Sequence, residues 1–261
     1  MKFYKKSLGQ NFLIDLNVVK KIVNTVPIDG NNILEIGPGK GVLTTEILKK
    51  NPNSIVLVEK DTVLANNLKI QFKDNKKVKI YNEDILKFDL EKKLKRNSII
   101  FGNLPYNISS QILVKTIKFK SWPPKYKALI FMFQKELAEK IIGTFKTRNY
   151  GRLSILTNYR LDIFCKFTIS HNCFFPKPKV KSMILGFLPK KNFSHKIKDI
   201  NSLETITRIL FSNKRKMINK SIKKIFHKKK INLVKNLDLS LRAQDLQEKI
   251  FYEITEKFEK N

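Results

Sequence analysis

Apolar runs of four to six residues recur along the first half of the chain, each followed by apolar positions three and four apart. The runs are Ile33-Leu34-Glu35-Ile36, Ile55-Val56-Leu57-Val58, Val78-Lys79-Ile80-Tyr81, Ser98-Ile99-Ile100-Phe101 and Ala128-Leu129-Ile130-Phe131-Met132-Phe133. Runs of that length read as strands, and the intervening spacing reads as amphipathic helix. Val42, Leu43, Ile47 and Leu48 share one helix face; so do Val63, Leu64 and Leu68, and then Ile112, Leu113 and Ile117, with Ser109 as the expected cap. An earlier helix carries Val18, Val19, Ile22, Val23 and Val26, with Pro27 just past it. The fifth run is apolar throughout, as a strand covered on both faces of a parallel sheet would be. The alternation predicts a doubly wound, mainly parallel α/β sheet.

After Gly143 the rhythm changes. Tyr150 to Tyr159 reads as helix, and Leu161 to Thr168 and Ser182 to Phe187 read as late strands that complete the sheet. Leu188 to Asn201 is polar and basic and contains Pro189. A boundary is therefore expected there, with one domain over residues 1–190 and a small all-helical domain over 191–261. The second domain carries helical patterns through Leu203, Ile206, Ile209 and Leu210, through Met217, Ile218, Ile222, Ile225 and Phe226, and through Leu246, Ile250, Phe251, Ile254 and Phe258.

The strand ends carry the candidate chemistry. Gly37-Pro38-Gly39-Lys40-Gly41 follows the first strand. Its glycines let a ligand approach the backbone closely, but the spacing is neither the dinucleotide fingerprint nor a phosphate-binding P-loop. Glu59 ends the second strand and suits a ribose diol, since an anionic acceptor meets two hydroxyl donors. Asp84, after the third, could accept from an adenine amine. The fourth strand runs into Phe101-Gly102-Asn103-Leu104-Pro105-Tyr106. Pro105 cannot continue a strand, so the chain turns out and presents an amide, bare carbonyls and one aromatic ring. In open α/β sheets the carboxyl edge of the strands is where ligands bind. A planar ring bearing a primary amine would suit this group, although the motif alone is also compatible with an ordinary strand-to-helix turn.

Composition narrows the picture. The chain has 261 residues, 42% of them hydrophobic, enough for a sizeable core. It holds 53 Lys and Arg against 22 Asp and Glu, a formal net charge of +31. That surplus favours polyanions, nucleic acid above all. A lysine-, asparagine- and isoleucine-rich composition, such as A/T-rich codons encourage, can inflate its size but not its sign. No apolar run approaches the roughly 20 residues of a membrane span, and the first residues lack the apolar stretch of a signal peptide. Cys165 and Cys173 make neither a disulfide framework nor a metal site, and His171, His195 and His227 are scattered. No metal and no membrane are expected, and the cytoplasm is the expected location.

Glycine loop, Glu59 and Asp84 together resemble the class I S-adenosylmethionine-dependent methyltransferases, with their Rossmann-like sheet. Asn103-Leu104-Pro105-Tyr106 resembles the active-site motif of N6-adenine methyltransferases. Leu8-Gly9-Gln10-Asn11-Phe12-Leu13, Gln134-Lys135-Glu136, Tyr150-Gly151-Arg152-Leu153-Ser154, Phe174-Phe175-Pro176-Lys177-Pro178-Lys179-Val180 and Phe211-Ser212-Asn213-Lys214-Arg215-Lys216 are similar to segments of the ribosomal RNA adenine N6-dimethyltransferases. The likeness spans nearly the whole chain and is greatest to the bacterial small-subunit (16S) branch. Lys177 stands where many relatives carry another residue.

The resemblance implies S-adenosyl-L-methionine as cofactor. Asn11, Leu13, Gly37 and Gly39 would line its site, Glu59 would hold its ribose and Asp84 its adenine. Asn103 would reach both cofactor and target. The Asn103 side-chain oxygen and the Leu104 carbonyl would accept from the target amine, while Tyr106 and Phe174 sandwich the base. The implied substrate is small-subunit rRNA within a pre-30S particle, with two adjacent adenosines in a hairpin loop near the 3′ end each receiving two methyl groups, by an enzyme acting as a monomer. RNA grip is expected from the tail, where residues 214–230 hold nine Lys or Arg and no Asp or Glu, with Lys214, Arg215 and Lys216 at its head. Two alternatives share these features: a large-subunit rRNA dimethyltransferase conferring antibiotic resistance, and a non-catalytic nucleic-acid-binding factor on the same fold. Intact Glu59, Asp84 and Asn103 favour catalysis.

Overall fold

The computed structural model describes residues 11–213, 215–226 and 237–260. In chain order the elements are β1 (Phe12–Leu13), α1 (Leu16–Val23), β2 (Asn32–Ile36), α2 (Val42–Leu48), β3 (Ser54–Glu59), α3 (Thr62–Gln71), β4 (Val78–Asn82), α4 (Leu90–Lys93), β5 (Ser98–Asn103), α5 (Ser109–Ile117), β6 (Tyr126–Gln134), α6 (Lys135–Ile141), α7 (Arg152–Arg160), β7 (Leu161–Ile169), β8 (Phe174–Phe175), β9 (Ser182–Pro189), α8 (Ile200–Phe211), α9 (Asn219–Ile225) and α10 (Glu248–Glu259).

Contacts divide the chain into two compact units. The first holds residues up to Ala138 together with Asp162–Pro189. Its seven-stranded sheet has the order β4-β3-β2-β5-β6-β9-β7. Strands β2 to β6 pair in parallel, and β9 runs antiparallel to β6. The five parallel strands are the five apolar runs of the sequence. Central β5 is buried from Ser98 to Gly102, whereas edge strand β4 is only half-buried, which explains why its run alone contains a lysine.

The order of strands reverses between β2 and β5. From β2 the chain steps outward to β3 and β4, then returns to place β5 on the other side of β2. Such a reversal opens a crevice at the carboxyl ends of the two central strands. The register pairs Ile36 with Gly102, so the glycine loop and Asn103 leave the sheet side by side.

Aspartates start two of the helices on this side. Asp15 accepts from the Asn17 and Val18 N–H groups ahead of α1, and Asp61 from Val63 and Leu64 ahead of α3. Ser109 does not cap α5 as expected. Ile108 occupies the capping position, and Ser109, one residue into the helix, turns its hydroxyl back to donate to the Tyr106 carbonyl at 3.1 Å. A second, two-stranded sheet gives no sign in the sequence. Strand β1 pairs antiparallel with β8, Phe12 opposite Phe175 and Leu13 opposite Phe174.

The second unit comprises Glu139–Leu161 and the residues from Lys190 onward. One division between the units falls at Pro189/Lys190, and α7 clusters with the C-terminal helices although it precedes β7 in sequence. Phe211 of α8 stacks on Phe251 of α10, with ring centroids 5.5 Å apart. Arg152 of α7 pairs with Glu204 of α8 at 2.9 Å, and Tyr150 donates to the Leu246 carbonyl. These contacts, among residues too far apart to share a periodicity, explain why α7 joins α8 and α10.

Candidate active site

One cavity opens at the switch point, and the sequence-predicted residues Asn11, Leu13, Gly37, Gly39, Glu59, Asp84, Asn103, Leu104 and Tyr106 all line it. Its floor is glycine backbone. Gly37, Gly39 and Gly41 all adopt positive φ, 65°, 59° and 74°, a region that side chains resist. A Cβ on Gly37 would lie 3.7 Å from the Asn103 carbonyl oxygen, and one on Gly39 would press to 3.0 Å from the Phe12 ring. The loop is thus a cradle whose width is set by the lack of side chains.

Glu59 holds this cradle open. Its two carboxylate oxygens accept from Gly39 N–H at 3.1 Å and Asp61 N–H at 2.9 Å. Two oxygens offer about four acceptor positions, so capacity remains for a diol. Burial pushes the Glu59 carboxyl up, against the pull of those backbone bonds. Asp84 is held at the other end. Lys60 Nζ lies 2.8 Å from its Oδ2, and the Leu86 N–H donates to its Oδ1 at 2.9 Å. The lysine hydrogen bond is the main reason its carboxyl sits below the usual range.

The Asn103 side-chain nitrogen donates to the Asn11 carbonyl at 3.0 Å. That bond fixes the amide so that its oxygen is the end available as an acceptor. Gly102 leaves room for the Leu104 side chain, because a Cβ there would sit 2.4 Å from Leu104 Cδ2. The Leu104 side chain is buried, and among the described residues no donor reaches its carbonyl. Two unspent acceptors, an amide oxygen and a carbonyl, therefore stand on adjacent residues. The Tyr106 hydroxyl shares a 2.7 Å hydrogen bond with Ser182, which tethers the ring, and burial raises its pKa.

Phe174 is placed differently from the expectation. It is only 3% exposed, belongs to the hydrophobic core with Leu13, Val19 and Ile22, and does not line the cavity with Tyr106. Its pairing with Leu13 explains the burial, since alternation along β8 turns Phe174 inward and leaves Phe175 58% exposed. In this structure the Tyr106–Phe174 sandwich is not assembled.

Phe12 and Glu35 are among the lining residues that the sequence did not single out. Phe12 covers Gly39, and Lys40 Nζ stands 5.3 Å from its ring centroid. Glu35 is a buried carboxyl in the middle of β2; it accepts from Thr44 Oγ1 at 2.6 Å, and burial pushes it up to about 8. Its signal was present, a single charge inside an apolar run.

A sequence model described as ribosomal RNA adenine dimethylase matches residues 1–260. The chain belongs to this family. It is 45% identical to the ribosomal RNA small subunit methyltransferase A of Pelagibacter ubique (strain HTCC1062), over 98% of this chain and 97% of that one. Its identity to the enzyme of that name from Blochmanniella pennsylvanica (strain BPEN) is 37%, over 93% and 90% of the two chains. Among solved structures it resembles a dimethyladenosine transferase from Plasmodium falciparum, at 25% identity and TM-score 0.80, covering 95% of this chain and 98% of that one. The 23S rRNA methyltransferase ErmE shares the fold, at 20% identity and TM-score 0.67, covering 95% and 99%. The family is one of class I methyltransferases, as the alternating apolar runs and strand-end motifs led one to expect, and its members act on ribosomal RNA.

The expected RNA contacts divide. Lys214 and residues 227–230 of the basic tail lie outside the described residues, as do Leu8, Gly9 and Gln10 of the N-terminal motif. Arg215 and Lys216 are exposed and line a shallow groove with Lys220, Lys224 and Arg242. The Ile218 N–H donates to the Leu241 carbonyl and Met217 bridges to Arg242, which fixes the two walls. Among the described residues, no His, Cys, Asp and Glu cluster could hold a metal, and no helix is long and apolar enough to cross a membrane. Cys165 and Cys173 are free thiols.

Proposed function

We propose that the chain transfers methyl groups from S-adenosylmethionine to the N6 atoms of two adjacent adenosines in the loop of a hairpin near the 3′ end of small-subunit rRNA, two to each. Its place would be the cytoplasm, acting as a monomer on a pre-30S particle. The observation that carries this reading is the convergence of Glu59, Asp84 and Asn103 on one cavity in a chain whose relatives over nearly its full length are small-subunit methyltransferases.

The residues fit the cofactor. The side-chain-free cradle at Gly37 and Gly39 admits a ligand against the backbone, Glu59 offers an anionic acceptor to a ribose diol, and Asp84 offers another to an adenine amine. When bound, the cofactor supplies a methyl group on a sulfonium, already activated for displacement. The remaining work is done by the protein. The lone pair of an adenine N6 is delocalised into the ring, which makes it a poor nucleophile. The Asn103 oxygen and the Leu104 carbonyl accept its two N–H bonds and favour a pyramidal nitrogen with the lone pair free. Tyr106, tethered by Ser182, gives the base a fixed surface. The rate then comes from positioning and from dipoles already oriented before reaction. The proton becomes acidic only after attack, so no strong base is needed. A base stacked in a helix cannot reach this cavity, so the target must be single-stranded or flipped out.

Offering purified small and large subunits that lack these methyl groups, each with labelled cofactor, tests the target. The reading predicts label in small-subunit RNA. Label confined to the large subunit would point to the sister activity, and no label in either would favour a binding role.

A further inference from the structure

Asp84 lies in a turn whose own hydrogen bonds leave two of its carbonyls without a backbone donor. Residues 83–88 leave β4 and lead into α4, and Glu83, Asp84 and Ile85 line the cavity. Inside the turn the Lys87 and Phe88 N–H groups donate to the Asp84 carbonyl, each at 2.8 Å. The carbonyls of Ile85 and Leu86 accept from no backbone N–H among the described residues. They are satisfied from a different element. Lys115, in the last turn of α5, donates to Ile85 O at 2.9 Å, Leu86 O at 2.7 Å and Phe88 O at 2.7 Å. An ammonium carries three donors, and all three are spent on this turn. Lys115 is half-buried, and half-buried carbonyls stripped of a donor are costly. The same helix begins at Ser109, whose hydroxyl holds the Tyr106 carbonyl. One helix therefore braces both the turn carrying Asp84 and the motif carrying Asn103.

We infer that Lys115 is the positioning residue for the cofactor's adenine: its three hydrogen bonds set the shape of residues 83–88, so that Asp84 meets the exocyclic amine. The inference rests on the cofactor reading above. It does not touch ligand, and its effect passes entirely through Asp84 and Ile85. A lysine in this role is distinguishable from one that merely stabilises the helix, because its loss must change which base the site prefers.

The test is calorimetric titration of the full chain with S-adenosylhomocysteine and with its inosine counterpart, in which a carbonyl replaces the amine. Wild type should favour the amine by at least about tenfold, the scale of one hydrogen bond. Lys115→Met keeps the length of the stem and removes the donors. It should lower affinity for S-adenosylhomocysteine by about tenfold, the scale of one misplaced hydrogen bond, and leave the inosine compound within about twofold. Lys115→Arg, which restores donors, should recover most of the preference. Should Lys115→Met melt below the assay temperature, Lys115→Gln gives the same comparison with two donors. Retained preference in the variant, or equal loss of both ligands, overturns the inference. Wild-type protein that binds neither compound overturns the cofactor reading itself, and the inference with it.

Discussion

The switch-point cavity and the groove of the C-terminal unit use charge in opposite ways. In the cavity the carboxyl groups are held in determined geometry: Glu59 takes two backbone N–H groups, Asp84 one N–H and one lysine, and Glu35 one hydroxyl. In the groove five cations, Arg215, Lys216, Lys220, Lys224 and Arg242, stand exposed. The first arrangement suits one small ligand in one orientation. The second suits a polyanion whose phosphates need counter-charge but no exact placement. Substitution in the cavity should therefore act steeply and specifically, and substitution in the groove gradually and with strong salt dependence.

The largest effect should come at Asn103. Asn103→Ala removes the acceptor oxygen and the bond to Asn11, and kcat should fall by about a thousandfold, as when a preorganised hydrogen-bonding group is lost from an active site. The melting temperature should shift little, because Asn103 is only half-buried. Activity near wild type would remove the amide from the mechanism. Next comes Glu59→Ala, which strands the Gly39 and Asp61 N–H groups as well as removing a ligand contact. Affinity for S-adenosylhomocysteine should drop by about a hundredfold, two or so charge-assisted hydrogen bonds in strength, while RNA affinity is unchanged.

The groove should respond more gently. Replacing Arg215, Lys216 and Lys220 by Ala should weaken rRNA binding by about tenfold at moderate salt and make the log–log salt slope shallower by about two to three, since each lost phosphate contact removes roughly 0.7 to 0.9 of a unit. Cofactor affinity should stay constant. An unchanged salt slope would show that these cations are only a solvated face.

The smallest effect is on stability against pH. Burial holds the Glu35 carboxyl up at about 8, against an ordinary 4.5. Between those values the folded chain keeps a proton that the unfolded chain has lost, so stability contributed by this group falls as pH rises. Glu35→Gln should flatten that decline in thermal melts of the ligand-free protein. A slope identical to wild type would show that other groups cause it.

The contrast also explains what could be read from the sequence. Glu59, Asp84 and Asn103 stood out because each is a polar group at or just past the end of a strand-like run, and sheet topology alone brings such ends to one edge. Glu35 was harder to see, since it lies inside a run and its partner Thr44 sits on the next helix. The β1–β8 pair was invisible because two-residue strands have no periodicity, and with it went the burial of Phe174. Helix α7 was read correctly as helix, but its place with the C-terminal helices depends on pairs such as Arg152–Glu204. Lys115 gave no signal in a chain with 53 Lys and Arg, because apolar spacing defines α5 without it. In the groove the sign of the charge was readable, yet which cations share a surface required the 217–242 bridge.

The most direct measurement is nucleoside analysis of small-subunit RNA after reaction with labelled cofactor. N6,N6-dimethyladenosine at two adjacent positions near the 3′ end is the predicted product. Label in any other nucleoside, or N6-monomethyladenosine that never proceeds to the dimethyl form, would contradict the account.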